Sequence, residues 1–365
     1  MKIQIEAKAL AKAMKHAASA LQSSVILPIL SNVRLIADGD TLEITTSDFD
    51  TEYRQTLPLA KGGELATTVD AKRLALIANN APANAVLALS MTDARLTITA
   101  GKSRWILPIL PADTFPVMPT EATGKPLKIS GTELANAIRR VEWAISGEKT
   151  QPHMAGVYFN QEGKRFRATA INTTSVAVVT TKAAYPKDAP PVIVPAKYAG
   201  LLADMADAHG DEPVTVQWNE RKIRAEIGTA ILSGKLIDAT FPDYRRVVPE
   251  FSEPIVFEPA AVGDAIKRVL VITEEKTRRV DLERGDGKMV LHASGGATGM
   301  SSEEIPADCA AGETVGLNGQ QFADIVAAIG GDSIEMHQAA AGKPVLFRRV
   351  VDDGAFALTM PMLGK

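Results

Sequence analysis

The sequence predicts an α+β protein made of three tandem copies of one fold, each with two helices packed on antiparallel sheets. Three observations carry this. A strand running into an amphipathic helix occurs three times, as KIQIEAKALAKAMKHAASAL at 2–21, PLKISGTELANAIRRVEWAI at 126–145 and PIVFEPAAVGDAIKRVLVI at 254–272. A second strand–helix pattern falls between these, as TTVDAKRLALIANN at 67–80, VIVPAKYAGLLADMADA at 192–208 and VGLNGQQFADIVAAIGG at 315–331. Between the helices, β-branched and polar residues alternate and are broken by Gly, Asp and Asn, which is the pattern of hairpins.

The first type of helix is read from spacing. Leu134, Ala137, Ile138, Val141, Ala144 and Ile145 recur at helical intervals and make one apolar face. Aligned on Leu10, Leu134 and Val262, the copies share Ala13, Ala137 and Ala265, then Met14, Ile138 and Ile266. A basic pair follows in register: Lys15-His16, Arg139-Arg140 and Lys267-Arg268. The second type opens on Asp70, Pro195 or Asn318, residues suited to a helix start. Lys72 and Arg73 lie early in its first copy and Lys197 in its second, whereas the third has Gln320 and Gln321. The repeats close alike, on LPADTFPVMP at 110–119, LIDATFPDYRRVVP at 236–249 and FALTMPML at 356–363. Proline-containing segments at 116–126 and 249–254 read as linkers, so the expected domains are 1–120, 126–249 and 254–365.

Composition narrows the partners. The 365 residues carry a formal net charge of −3, which argues against gripping nucleic acid through bulk positive charge. Cys309 is the single cysteine, so no intrachain disulfide and no cysteine zinc cluster is expected. Neither a signal-peptide core nor an apolar run of transmembrane length stands out, and a cytoplasmic setting is expected.

Geometry gives the helices a use. Packed helices lie about 8–10 Å apart. Six in a closed ring leave a hole of roughly 9 Å, whereas twelve leave roughly 28 Å, enough for duplex DNA. One chain supplies six helices, so the expected assembly is a head-to-tail homodimer. Its lining would carry Lys12, Lys15, Lys72, Arg73, Arg139, Arg140, Lys149, Lys197, Lys267 and Arg268 as DNA-facing residues. Sparse cations of this kind attract phosphates without base contacts, which reconciles the net charge with DNA as partner.

Several segments resemble the bacterial DNA polymerase III β subunit family, the replicative sliding clamps. They are LPILSNVRLIADGDTLEITTSDFDTEY at 27–53, SRWILPILPADTFP at 103–116, KLIDATFPDYRRVVP at 235–249 and the terminal MPM at 360–362. The resemblance spans the chain. It implies three tandem DNA-clamp domains closing into a six-domain ring as a dimer, with DNA inside. It also implies a pocket for short peptide motifs from DNA polymerase III, the clamp loader and repair proteins. The pocket residues it implies are Met154, Val176, Pro242, Arg246, Val247, Asn318, Leu358, Met360 and Met362. Methionine suits a groove that accepts several sequences, and Arg246 suits a peptide carbonyl or carboxylate. The implied dimer contact sets Trp105 and Leu107 against Val271 and Ile272, with Lys72 or Arg73 pairing Glu303 or Glu304 across it. The chain departs from the family pattern in AINTTSVAV at 170–178, where Thr174 and Ser175 replace a His-Arg pair. It departs again at Ser24 and at His153-Met154.

The expected protein is a non-catalytic processivity factor with no cofactor and no metal site. No phosphate-binding loop or dinucleotide fingerprint stands out, and the five histidines are dispersed. Asp48 and Asp50 share a face of a possible strand, which leaves a magnesium-dependent nucleotidyl-transfer enzyme as one alternative. A monomeric peptide-binding scaffold is the other.

Overall fold

The computed structural model describes residues 2–21, 27–82, 84–92, 94–119, 124–148, 150–250, 252–274, 277–340, 342–351 and 353–363. The first repeat runs β1 (Lys2–Glu6), α1 (Ala7–Ser19), β2 (Asn32–Asp38), β3 (Thr41–Ser47), β4 (Thr51–Pro58), β5 (Leu65–Asp70), α2 (Ala71–Asn79), β6 (Val86–Thr92), β7 (Arg95–Ala100) and β8 (Ser103–Leu110). The second runs β9 (Leu127–Ser130), α3 (Gly131–Glu142), β10 (Gly156–Glu162), β11 (Arg165–Ile171), β12 (Ser175–Ala184), β13 (Val192–Pro195), α4 (Ala196–His209), β14 (Pro213–Trp218), β15 (Lys222–Ile227) and β16 (Ala230–Lys235). The third runs β17 (Pro254–Phe257), α5 (Pro259–Val269), β18 (Arg279–Gly285), β19 (Lys288–Ser294), β20 (Met300–Pro306), β21 (Gly312–Asn318), α6 (Gly319–Ile329), β22 (Ile334–Gln338), β23 (Val345–Arg349) and β24 (Ala355–Thr359). Both predicted helix types therefore form in all three copies. Asp70 and Asn318 act as N-caps, accepting from the backbone N–H of Arg73 at 2.7 Å and of Gln321 at 3.1 Å.

The chain divides into two compact units, Met1–Ala135 with Pro186–Pro190 and Lys197–Leu236, and Asn136–Tyr185 with Pro191–Ala196 and Ile237–Lys365. These two units cut across the three repeats. The second repeat is shared, because its strands continue the sheets of both neighbours. The first unit is built on one twelve-stranded sheet in the order β1-β6-β7-β8-β5-β2-β3-β4-β16-β15-β14-β9. The second has an eight-stranded sheet, β13-β10-β11-β12-β24-β23-β22-β17, and a four-stranded one, β20-β19-β18-β21.

Each unit contains a seam where one repeat meets the next. In the first, β4 pairs antiparallel with β16, Thr51 opposite Gly234 and Tyr53 opposite Leu232. In the second, β12 pairs with β24, Ser175 opposite Thr359 and Val176 opposite Leu358. The hairpin turns beside the seams are built alike. Asp48 Oδ1 accepts from the N–H groups of Asp50 at 3.0 Å and Thr51 at 2.7 Å. Asn172 Oδ1 accepts from Thr174 at 3.0 Å and Ser175 at 2.8 Å. Such short polar side chains close a turn by mimicking a backbone carbonyl. The turn carbonyls then receive the strand of the next repeat: Lys235 N–H donates to Asp50 O at 2.9 Å, and Met360 N–H to Thr174 O at 2.8 Å.

The helices bury their apolar faces on this framework. Leu10, Ala13, Met14 and Ala17 of α1 and Leu74 and Ile77 of α2 are buried, among strand residues such as Ile3, Ile5, Leu35 and Leu89. In the second unit, Val262 and Ile266 of α5 and Phe322 and Ile325 of α6 join one core cluster with Leu282, Leu291 and Phe347. Each fully buried Leu, Ile or Phe is worth about 1.5–3 kcal/mol over its exposed state, so these faces hold the helices on the sheets.

The Asp48–Asp50 pair has structural partners of its own. Besides closing the turn, Asp48 accepts from the Lys197 ammonium through Oδ2. The same ammonium donates to Ala20 O at the C-terminal cap of α1. Asp50 pairs with Lys235 at 2.9 Å. The two carboxylates thus face separate lysines rather than one cation, which removes the observation behind the magnesium alternative. The substitution Asp48→Ala is expected to lower stability by about 2 kcal/mol, since Asp48 is buried and its partner is charged. The exposed Asp50→Ala should cost no more than about 0.5 kcal/mol. Urea unfolding of the two variants checks the contrast.

Candidate peptide groove and basic surface

The expected pocket residues all lie in the second unit. Beneath them sits a small apolar cluster, separate from the main core, of Ile171, Val176, Val178, Tyr244, Leu346 and Leu358. Met154, Phe241, Val248 and Phe356 pack against it half-buried. The seam assembles it: Val176 and Val178 alternate onto one face of β12, and Leu358 stands opposite Val176 on β24 and opposite Leu346 on β23. Segment 241–248 lies across this floor. Its Phe241 stacks on Tyr158 with ring centroids 4.2 Å apart, and the Tyr244 hydroxyl accepts from Arg167 at 2.9 Å. The Asp243 carboxylate caps the turn Tyr244–Val247 through Arg245 N–H at 3.3 Å and pairs with Arg246 Nε at 3.2 Å.

Not every expected residue is an open contact. Val176 and Leu358 are buried floor, so they act through packing and not as exposed surface. Asn318 is committed to its helix cap and donates to Thr277 O at 3.4 Å. Pro242, Val247, Met154, Met360 and Met362 remain half-buried or exposed, and the Arg246 side chain is 84% exposed. The final segment is held in place: Met362 N–H donates to Gly316 O at 2.8 Å, and Arg279 donates to the carbonyls of Met362 at 2.9 Å and Leu363 at 2.7 Å. Position 316 needs glycine, since a Cβ there would meet Met362 O at 2.8 Å. In the divergent 170–178 segment, Thr174 Oγ1 accepts from Gln321 at 2.9 Å and Ser175 Oγ meets Thr359 Oγ1 at 3.1 Å. The floor residues Ile171, Val178, Tyr244 and Leu346 were not anticipated. Val178 was legible as the next inward position after Val176, whereas Leu346 enters only through strand pairing.

The corresponding seam of the first unit is chemically different. Glu52 stands where the second unit has Val176, Arg54 where it has Val178, and Ser233 where it has Leu358. Buried Glu52 pairs with Arg54 at 2.9 Å and accepts from Met118 N–H at 2.6 Å. Burial pushes its carboxyl above the ordinary glutamate range, against the opposing pull of that N–H and of Arg54. Segment 115–119 is thereby fastened over the first seam, whereas the second seam carries the apolar cluster with half-buried Met154, Phe241, Val248 and Phe356 packed against it.

The expected DNA-facing cations differ in exposure. Lys12, Lys15, Lys72, Arg73 and Arg139 are exposed on their helices. Lys267 is exposed beside Asp264 at 3.0 Å, and Arg268 forks onto Glu303 with Nε 2.9 Å from Oε2. Lys149 lies outside the described residues, as does Ser24. Lys197 is exposed but engaged by Asp48 and Ala20, as described above. One expectation needs correcting. Arg140, with a side chain only 18% exposed, donates to Ala328 O at 2.8 Å and Ile329 O at 3.2 Å, and pairs with Asp353 at 2.7 Å. It neutralises the carbonyl end of α6 rather than facing a ligand. Arg140→Ala is expected to cost about 1–2 kcal/mol, since Arg349 still pairs with Asp353 at 2.9 Å and donates to Ile329 O at 2.7 Å, and Arg139→Ala to stay within about 0.5 kcal/mol. Chemical denaturation separates the two.

Of the expected dimer residues, Trp105 and Ile272 are half-buried and Val271 is exposed. Leu107 needs correcting: it is 8% exposed and sits opposite Leu96 in its own core, while Ile106 is 45% exposed. Glu303 and Glu304 are already paired within the chain, with Arg268 and with Lys288 at 2.6 Å, so the expected pairing with Lys72 or Arg73 would have to displace these contacts. Among the described residues no helix is long and apolar enough to cross a membrane.

An apolar cluster bordered by half-buried Met154, Phe241, Val248 and Phe356, on a repeat framework whose helices carry exposed cations, has the character of a binding protein. Comparison with known proteins makes this specific. Residues 1–119, 128–243 and 245–363 match in turn the N-terminal, central and C-terminal domains of the DNA polymerase III beta subunit, and the chain belongs to that family. It is 33% identical to the beta sliding clamp of Caulobacter vibrioides, covering 99% of this chain and 100% of that one. It is 27% identical to the beta sliding clamp of Escherichia coli, over 99% of this chain and 100% of the relative. The crystal structure of the sliding clamp of Bartonella birtlesii bound to griselimycin superposes with a TM-score of 0.94 at 25% identity, covering 100% of both chains.

Proposed function

We propose that two copies of this chain join head to tail into a ring that duplex DNA threads. The groove of the second unit takes short peptide segments of DNA polymerase III, the clamp loader and repair proteins. The chain is then a cytoplasmic, non-catalytic sliding clamp that keeps its partners on DNA. The repeats 1–120, 126–249 and 254–365 of the two copies are the six ring segments of the dimer.

The observation that carries the ring is a pair of open sheet edges. β8 pairs with β5 only at Ile109 and Leu110, so among the described residues Ser103–Pro108 have a strand partner on one side alone. β20 is the edge of the four-stranded sheet. Exposed edges are templates for pairing with another chain. Exposed apolar residues flank both, Ile106 on β8 and Val271 and Met300 near β20. Pairing β8 of one copy with β20 of the next is heterologous, and it closes when the rotation fits. Trp105, Ile106, Val271, Ile272 and Met300 form the apolar part of that contact. Lys12, Lys15, Lys72, Arg73, Arg139, Lys267 and Arg268 supply the weak, sequence-independent attraction to phosphates.

Sedimentation should give twice the 38.8 kDa of one chain. After loading, the protein should stay on circular DNA and leave linear DNA. A monomer retained equally on both would favour the peptide-binding scaffold instead.

In the groove, Met362→Ala should weaken capture of a clamp-binding peptide about tenfold or more, the loss of one well-packed anchor. The sedimentation mass should stay unchanged. Fluorescence anisotropy with the labelled peptide measures the first, and a halved mass would assign the tail to the dimer.

A further inference from the structure

A cleft of about 210 Å³ opens in the first unit, away from the expected peptide pocket and dimer residues. Its wall includes Lys12 and His16 of α1, Tyr53 and Gln55 of β4, His209 at the end of α4, and Thr229 in the turn between β15 and β16. The internal repeat explains why there is space. The matching elements of the second unit are α3, β12, α6 and the loop between β23 and β24. There, Arg140 fills the corner, with Asp353 as its carboxylate partner. In the first unit the shorter His16 stands at the position of Arg140. The matching turn is the tight Gly228-Thr229, which brings no carboxylate. Lys12 stands where the second unit has the uncharged Asn136.

Removing the acid and adding an ammonium inverts the character of the niche. Its wall offers one lysine, two imidazoles and no carboxylate. A relay of hydrogen bonds adds a donor. The Tyr53 hydroxyl donates to Gln55 Oε1, and Gln55 Nε2 donates to Thr229 Oγ1 at 3.2 Å, which leaves the Thr229 hydroxyl proton to point elsewhere. At about 30 Å³ per water, the cleft holds several waters, room enough for a tetrahedral oxyanion. Its polar lining residues come from α1, α4 and the turn, three separate elements around one space.

We propose that this cleft is a phosphate-binding site, taking either a free phosphate or phosphomonoester or a backbone phosphate of DNA. The charged and titratable groups around His16 are Lys12 and Lys15 on its own helix, Asp204 and His209 on α4, and Tyr53 on β4. Burial, then Lys15, holds the His16 imidazole below the ordinary histidine range, with Asp204 pulling the other way. An anion bound beside it favours the charged imidazole, so phosphate must move the His16 titration to higher pH.

The test is a phosphate titration of the full chain at constant ionic strength, followed through the imidazole NMR resonances, assigned with His16→Gln and His209→Gln. Inorganic phosphate should shift His16 and His209 together and saturably, leave His153, His292 and His337 in place, and raise the titration midpoint of His16. The exposed Lys12→Ala should weaken the effect about tenfold, the loss of one charge-assisted hydrogen bond. Lys102→Ala, exposed in the turn between β7 and β8 and outside the wall of the cleft, should not. Absence of saturation, equal shifts at all five histidines, or indifference to Lys12→Ala would overturn the site. A duplex without terminal phosphates then separates the sources. If it moves the same two resonances and competes with phosphate, the ligand is the DNA backbone; if it leaves them untouched, the ligand is free phosphate or a phosphomonoester. Neither readout depends on whether the chain dimerises.

Discussion

Backbone pairing across the two seams, β4 with β16 and β12 with β24, is the constraint on which the rest depends. Each seam continues one repeat's sheet into the next, so its register decides which side chains face each other at every junction. The turns closed by Asp48 and Asn172 fix the seam ends, and their carbonyls hold the strands that arrive from the following repeat. A slip of one residue would exchange the inward and outward faces of a strand. The groove floor and the fastened segment 115–119 would both be lost by it.

The same backbone frame carries opposite chemistry at its two seams. Val176, Val178 and Leu358 make the second seam apolar, and a buried apolar floor beneath a half-exposed rim is a surface waiting for a partner. Glu52, Arg54 and Ser233 make the first seam polar. A buried carboxylate is costly without hydrogen bonds, and Glu52 finds one in the Met118 N–H of the chain itself. Three side chains on a common scaffold therefore separate an open groove from a closed one.

Charge follows the same logic. Of the cations aligned by the repeat, Arg140 and Lys197 are drawn to helix C-terminal carbonyls with a carboxylate alongside, while their neighbours Arg139 and Lys15 stay in solvent. Lys197 binds the end of α1 and Arg140 the end of α6, so each unit has one such staple. These contacts hold helix ends against the sheets. The remaining exposed cations suit a surface that attracts phosphates without gripping them.

Much of this was legible from local pattern. The six helices, the caps at Asp70 and Asn318, and the hairpins follow from spacing and turn chemistry that neighbouring residues settle among themselves. The expected pocket residues Pro242, Arg246, Val247, Met360 and Met362 were named from two short segments, and the structure places all five in the second unit. What local pattern could not carry was any property set by a distant partner. Arg139 and Arg140 are adjacent and chemically identical, yet one faces solvent and the other binds carbonyls 188 residues away in the chain. Trp105 and Leu107 share a strand face, but burial against Leu96 withdraws Leu107 and leaves Ile106 outside. The three repeats are legible along the chain, but not that the strands of the second would continue the sheets of both its neighbours. Hydrogen bonding between strands joins residues by register rather than by distance along the chain, and register exists only once the sheets have formed.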